Sequence, residues 1–67
     1  MKETTIAQTP NGRNILLIER EGQRPMFAVQ PPNDNYWEER RTPRAAVLAA
    51  GWGRKIADFY RGDYREW

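Results

Sequence analysis

The side chains that could do chemistry in this chain are nine carboxylates and eleven cations. Histidine and cysteine are absent, and no serine occurs in the sequence. A Ser or Cys nucleophile with a histidine base is therefore excluded, as are disulfides and Cys/His metal sites. Carboxylate pairs doing acid–base work need a cleft and at least one raised pKa. The acids Glu3, Glu19, Glu21, Asp34, Glu38, Glu39, Asp58, Asp63 and Glu66 all fall in segments expected to be exposed, most of them close to an arginine. Glu38-Glu39 reads as a solvated pair beside Arg40-Arg41. The chain is expected not to be an enzyme, and no cofactor is implied.

Two short stretches resemble ligand loops on the surface only. Gly51-Trp52-Gly53-Arg54-Lys55 has phosphate-loop composition but lies inside a helical pattern rather than between a strand and a helix start. Asp34-Asn35 suggests a cation ligand, yet no EF-hand spacing follows. The cations are nearly all arginine, a planar five-donor fork suited to carboxylates, phosphates and aromatic faces. Their interspersion with acids leaves a net charge of only +2, weak for tight phosphate binding unless the arginines gather in space.

The elements that must position these groups form one domain: 67 residues fold as one small core, with no room for a second. The expected layout is a sheet over 3–30, an aromatic and charged loop over 31–42, a helix over 43–61 and a tail over 62–67. Residues 3–8 read as a first strand. Thr9-Pro10-Asn11-Gly12 is a strong turn signal, because Pro presets φ and Asn-Gly tolerates positive φ. Residues 13–20 make a second strand around Ile15-Leu16-Leu17-Ile18, Glu21-Gly22-Gln23 turns the chain, and 25–30 make a third. Short turns imply an antiparallel meander with the second strand central. Pro31-Pro32 stops the sheet, and Thr42-Pro43 reads as N-cap and first helical position. The fold class is thus α+β, a three-stranded antiparallel meander followed by one C-terminal helix (βββα).

A projection at about 100° per residue groups Leu48, Trp52, Ile56 and Phe59 on a face of large side chains, beside a small-residue face of Ala46, Ala50, Gly53 and Ala57. One continuous helix is favoured, kinked at Gly51; a break there into two short helices is the alternative. The tail docks its aromatics or frays.

The sheet poses a problem of cover. Antiparallel sheets with one wet face alternate apolar and polar residues. The central strand instead offers Ile15 and Leu17 to one side and Leu16 and Ile18 to the other, and one helix covers one face. The second face needs the loop with Tyr36 and Trp37, the tail with Tyr64 and Trp67, a second copy in a homodimer, or another protein.

Two functional expectations follow. The first is a protein–protein interaction module, with Tyr36, Trp37, Arg40, Arg41 and Arg44 as partner-binding residues. These side-chain types concentrate binding energy at interfaces, and they sit on a loop. In size and strand-strand-strand-helix plan the chain resembles several anti-CRISPR proteins, a likeness of architecture carried by no diagnostic motif. It also looks like the accessory proteins of phages and mobile elements. That resemblance implies a cytoplasmic, stoichiometric inhibitor or regulator binding a host protein. The second is nucleic-acid binding through Arg13, Arg20, Arg24, Arg54, Lys55 and Arg61. The same plan resembles the integrase arm-binding and plant AP2-type domains, which read DNA with the sheet face. Against it, these sheet faces are apolar at their centre. No apolar run approaches the roughly 20 residues of a membrane span, so no membrane partner is expected.

Overall fold

The computed structural model describes residues 1–32 and 36–67. The Asp34-Asn35 pair and Asn33 lie outside the described residues. Strands β1 (Lys2–Gln8), β2 (Asn14–Glu19) and β3 (Met26–Val29) form an antiparallel sheet in the order β1-β2-β3. The fold is α+β, as the turn chemistry predicts. In the first turn the Gly12 N–H donates to the Thr9 carbonyl at 2.8 Å and the Thr9 N–H to the Arg13 carbonyl at 2.8 Å. Gly12 takes φ +85° there and closes the turn that Pro10-Asn11 opens. The buried Thr9 hydroxyl donates to the Asn11 side chain and accepts from the Arg13 N–H.

The β1–β2 register shifts between Thr5 and Ala7, leaving Ile6 as an extra residue. That bulge lets Ile6 and Ala7 both pack on the cluster around Ile15, where strict alternation would have turned one of them away. On this first face Ile15 pairs with Val29 and Leu17 with Phe27.

The helical region is not one helix. It divides into α1 (Pro43–Ala49), α2 (Arg54–Ala57) and 3₁₀ turns at Asp58–Tyr60 and Tyr64–Glu66. The N-cap is as expected: the Thr42 hydroxyl accepts from the Ala45 N–H, with Pro43 in the first turn. The stop overturns the continuous-helix expectation. Gly51 has φ +98°, its N–H donates to the Leu48 carbonyl, and the Trp52 N–H donates to the Val47 carbonyl. This pair of bonds, with Trp52 packing on the cluster that contains Val47, is a Schellman stop. Gly53 is extended at φ −71° and ψ 164°, and it caps α2 in a new phase.

The new phase decides which side chains face the core. Val47 and Ala57 are buried with Ile15 and Val29, and Leu48, Trp52 and Ile56 pack half-buried around them. Ala46 is buried against Leu17 and Phe27. Ala50 and Gly53, projected onto the same small-residue face, are exposed. Phe59, projected onto the large face, is 74% exposed. The tail docks rather than frays. The Tyr64 ring meets the Phe27 ring edge-on at 5.6 Å, and Trp67 meets Tyr60 at 5.7 Å. The Tyr60 hydroxyl donates to the Gln8 carbonyl, tying this end to β1.

Candidate functional site

The second face of the sheet is covered by the chain itself. Leu16, Ile18 and Ala28 are buried under Trp37. The segment carrying Trp37 is held down by backbone and by charge. The Phe27 N–H donates to the Arg40 carbonyl at 2.7 Å, and the Arg40 N–H donates back to the Phe27 carbonyl at 2.8 Å. Arg40 thus occupies part of the open β3 edge, a place where exposed strands otherwise invite pairing. Arg20, on the same side of β2 as Leu16 and Ile18, grips Glu39 with both guanidinium nitrogens at 2.6 and 2.7 Å. The Trp37 indole N–H donates to the same carboxylate at 3.0 Å.

Of the covers that the sequence left open for the second face, the loop carrying Trp37 is the one found. Among the described residues, neither sheet face is left apolar and open at its centre, because α1, α2 and the tail cover one and Trp37 the other. Glu39 departs from the solvated pair read from sequence: it closes on Arg20 and Trp37, while Glu38 stays exposed beside Arg40, pairing with its guanidinium at 2.9 Å. Sequence inspection could have found the Glu39 contact only by knowing that 37–40 folds back beside β3. No local signal carries that.

The Arg20 guanidinium, and after it the Trp37 N–H, holds the Glu39 carboxyl down at about 2, against its ordinary 4.5. A carboxyl lowered on folding stabilises the fold above its unfolded value, and that contribution is lost as pH falls through the folded one. Urea midpoints measured between pH 7 and pH 2 should therefore fall through the window from about 4.5 to about 2. In Glu39→Gln the midpoint at pH 7 should already be lower, by about 1 kcal/mol of stability, and its decline across that window shallower. An unchanged acid limb in the variant would show that the pair contributes nothing to the closed lid.

The eleven residues singled out from sequence separate into distinct places. Trp37, Arg40 and Arg20 belong to the lid. Tyr36 stands 73% exposed beside it, and Arg41 is exposed at the approach to α1. Arg13 and Arg24 flank opposite ends of β2. Arg44, Arg54 and Arg61 come together around Asp58. The Arg44 Nε donates to the Asp58 carboxylate at 2.7 Å. That bond is the largest cause holding the Asp58 carboxyl below its ordinary range, with the Arg44, Arg61 and Arg54 charges adding to it. Arg54 and Asp58 stand four residues apart along the α2–3₁₀ run, as do Lys55 and Phe59. Phe59 stands exposed on the same run, one turn from Lys55 and next in sequence to the Asp58 that the three arginines surround. Phe59 was missed because the projection assumed an unbroken helix. The signal that could have found it is Gly51 followed by the apolar Trp52, the signature of a Schellman stop.

A groove of about 150 Å³ also opens between Tyr36-Trp37 and the α1 alanines, with Arg13 at its wall. It is below the several hundred Å³ of a typical small-molecule site. Among the described residues, no helix is long and apolar enough to cross a membrane. No family model matches the chain, and neither does any curated protein or solved structure.

Proposed function

We propose that this chain is a small non-enzymatic protein-binding module, a stoichiometric regulator of the kind that phages and mobile elements direct at host machinery, acting through the surface around Asp58. The observation that carries this reading is Phe59. A phenylalanine left 74% exposed, one residue from the Asp58 around which Arg44, Arg54 and Arg61 gather, has the composition of an interface hot spot, whereas Leu48, Trp52, Ile56 and Ala57 of the same region all turn inward. The partner-binding set read from sequence is revised accordingly. Arg44 stays, Arg54, Lys55, Phe59 and Arg61 join it, and Trp37 leaves it because its ring covers Leu16, Ile18 and Ala28, while Arg40 keeps an exposed side chain paired with Glu38.

Substituting Phe59→Ser should leave thermal stability within about 0.5 kcal/mol, as at other exposed positions. It should weaken retention of a partner bound one-to-one by more than tenfold, the loss of a hot-spot aromatic. Capture of the same partner by both proteins at equal affinity would remove Phe59 from the interface and this reading with it.

Nucleic-acid contact is the second reading. What favours it is the gathering of Arg54, Lys55 and Arg61 on one run of helix and turn. Against it, Arg20 is committed to Glu39, Arg13 and Arg24 lie apart, and the sheet centre is covered. Mobility shifts that persist near 0.2 M salt and discriminate between sequences would reverse the ranking.

A further inference from the structure

We propose that the surface around Asp58 takes an acidic segment of a partner protein, whose carboxylates meet Arg54 and Arg61 while an apolar side chain of the segment lies on Phe59. This rests on the protein-binding reading and names the chemistry of the partner.

Charge is the first argument. Arg44, Arg54 and Arg61 face the single carboxylate Asp58, an excess of two positive charges, equal to the +2 that the whole chain carries. The net positive charge is therefore matched by this patch alone, and the remainder of the chain is balanced. Arg44 is already engaged by Asp58. Arg54 and Arg61 feel the same carboxylate only at longer range and have no ion-pair partner among the described residues. Within this patch they are the two guanidinium groups without an ion pair, and a guanidinium pairs carboxylates in a two-pronged geometry.

Size and shape choose a short acidic segment over an extended polyanion. Arg54 and Arg61 stand seven positions apart, a span of about 10 Å at helical rise. That length matches a few residues of peptide. A nucleic acid leaving this patch would meet a surface with no further net attraction, and tight phosphate binding requires many contacts. Asp58 at the centre would repel a phosphate seated there. The carboxylates of a peptide can straddle Asp58, one to each side. Phe59, one step around the helix beside Lys55, supplies the apolar contact that a purely ionic site lacks.

The test uses the intact chain and backbone amide NMR. The probe is a short blocked peptide of glutamates flanking a leucine. The controls are the same peptide with glutamines for the glutamates, and an oligothymidylate. The expected result is shifts confined to residues 54–61 with the glutamate peptide. Affinity should fall about tenfold in the double variant Arg54→Glu, Arg61→Glu, and by a similar factor between low and high salt. Both arginines are exposed, so the variant should fold, which its amide dispersion verifies. Equal binding of the glutamine peptide would overturn the acidic requirement. Tighter binding of oligothymidylate at the same amides would overturn the choice of protein, and an absence of shifts with every probe would overturn the site. The two levels separate cleanly. Partner capture that needs Phe59 but survives charge reversal sinks the acidic segment and leaves the module standing, whereas capture that never needs Phe59 sinks the module reading itself.

Discussion

Trp37→Ala should cost the fold about 3 kcal/mol, seen as a thermal midpoint lowered by about 15 °C. For a chain of this length the total stability is of order 3–10 kcal/mol, so the variant would sit near the edge of folding. The reason is geometric. Trp37 is the partly buried side chain packed over Leu16, Ile18 and Ala28, and its removal opens that cluster to water. The indole N–H also holds Glu39, which holds Arg20, so the ring and the ion pair should loosen together. Trp37→Phe separates the two effects. It keeps most of the apolar cover and drops only the N–H bond, at about 1 kcal/mol. A Trp37→Ala midpoint that barely moves at low concentration and rises with concentration would mean that a second copy shields the sheet instead.

Ile18→Ala should cost as much as Ile15→Ala, about 3 kcal/mol each in urea unfolding. The two residues lie on opposite faces of β2, and each is 0% exposed. Ile15 is enclosed by Val29, Val47 and Ala57 beneath the helices. Ile18 sits beneath a single aromatic side chain on an irregular segment. Were that segment an incidental cover, its side of the sheet would behave as surface and Ile18→Ala would cost well under 1 kcal/mol. The pairing of mutations sharpens the point. Ile18→Ala and Trp37→Ala belong to one cluster and should be non-additive. Ile15→Ala and Trp37→Ala act on opposite faces and should come closer to adding. Strict additivity of the first pair would mean that Trp37 and Ile18 are not energetically in contact.

These results bear on how the candidate interface is to be probed. Trp37 and Arg40 look, by type and by place in the chain, like the residues of a binding loop. The Trp37 ring covers β2, and Arg40 holds the β3 edge through its backbone while its own side chain stays exposed. Alanine at Trp37 would therefore weaken any binding through lost stability. Phe59, Arg54, Lys55 and Arg61 are exposed and can be changed without touching the core, so these report on recognition.

Local chemistry accounts for what the amino-acid sequence determined alone. Pro10-Asn11-Gly12 and Gly22 signal turns, the apolar tetrad Ile15-Leu16-Leu17-Ile18 between them reads as a strand apolar on both sides, and Thr42-Pro43 reads as a helix start. Each of these follows from φ preferences, side-chain alternation or a cap within a few residues. That β2 required two covers was therefore legible. Which of the candidate covers would supply the second was not, because Trp37 reaches Ile18, and Glu39 reaches Arg20, across 19 positions of chain, by contacts that depend on 37–40 folding back beside β3. The exposure of Phe59 was decided at the same level. Gly51 in the left-handed region reset the helical phase, and packing against Ile15 and Val29 then chose Ile56 and Ala57 as the inward side, leaving the phenylalanine out among the arginines.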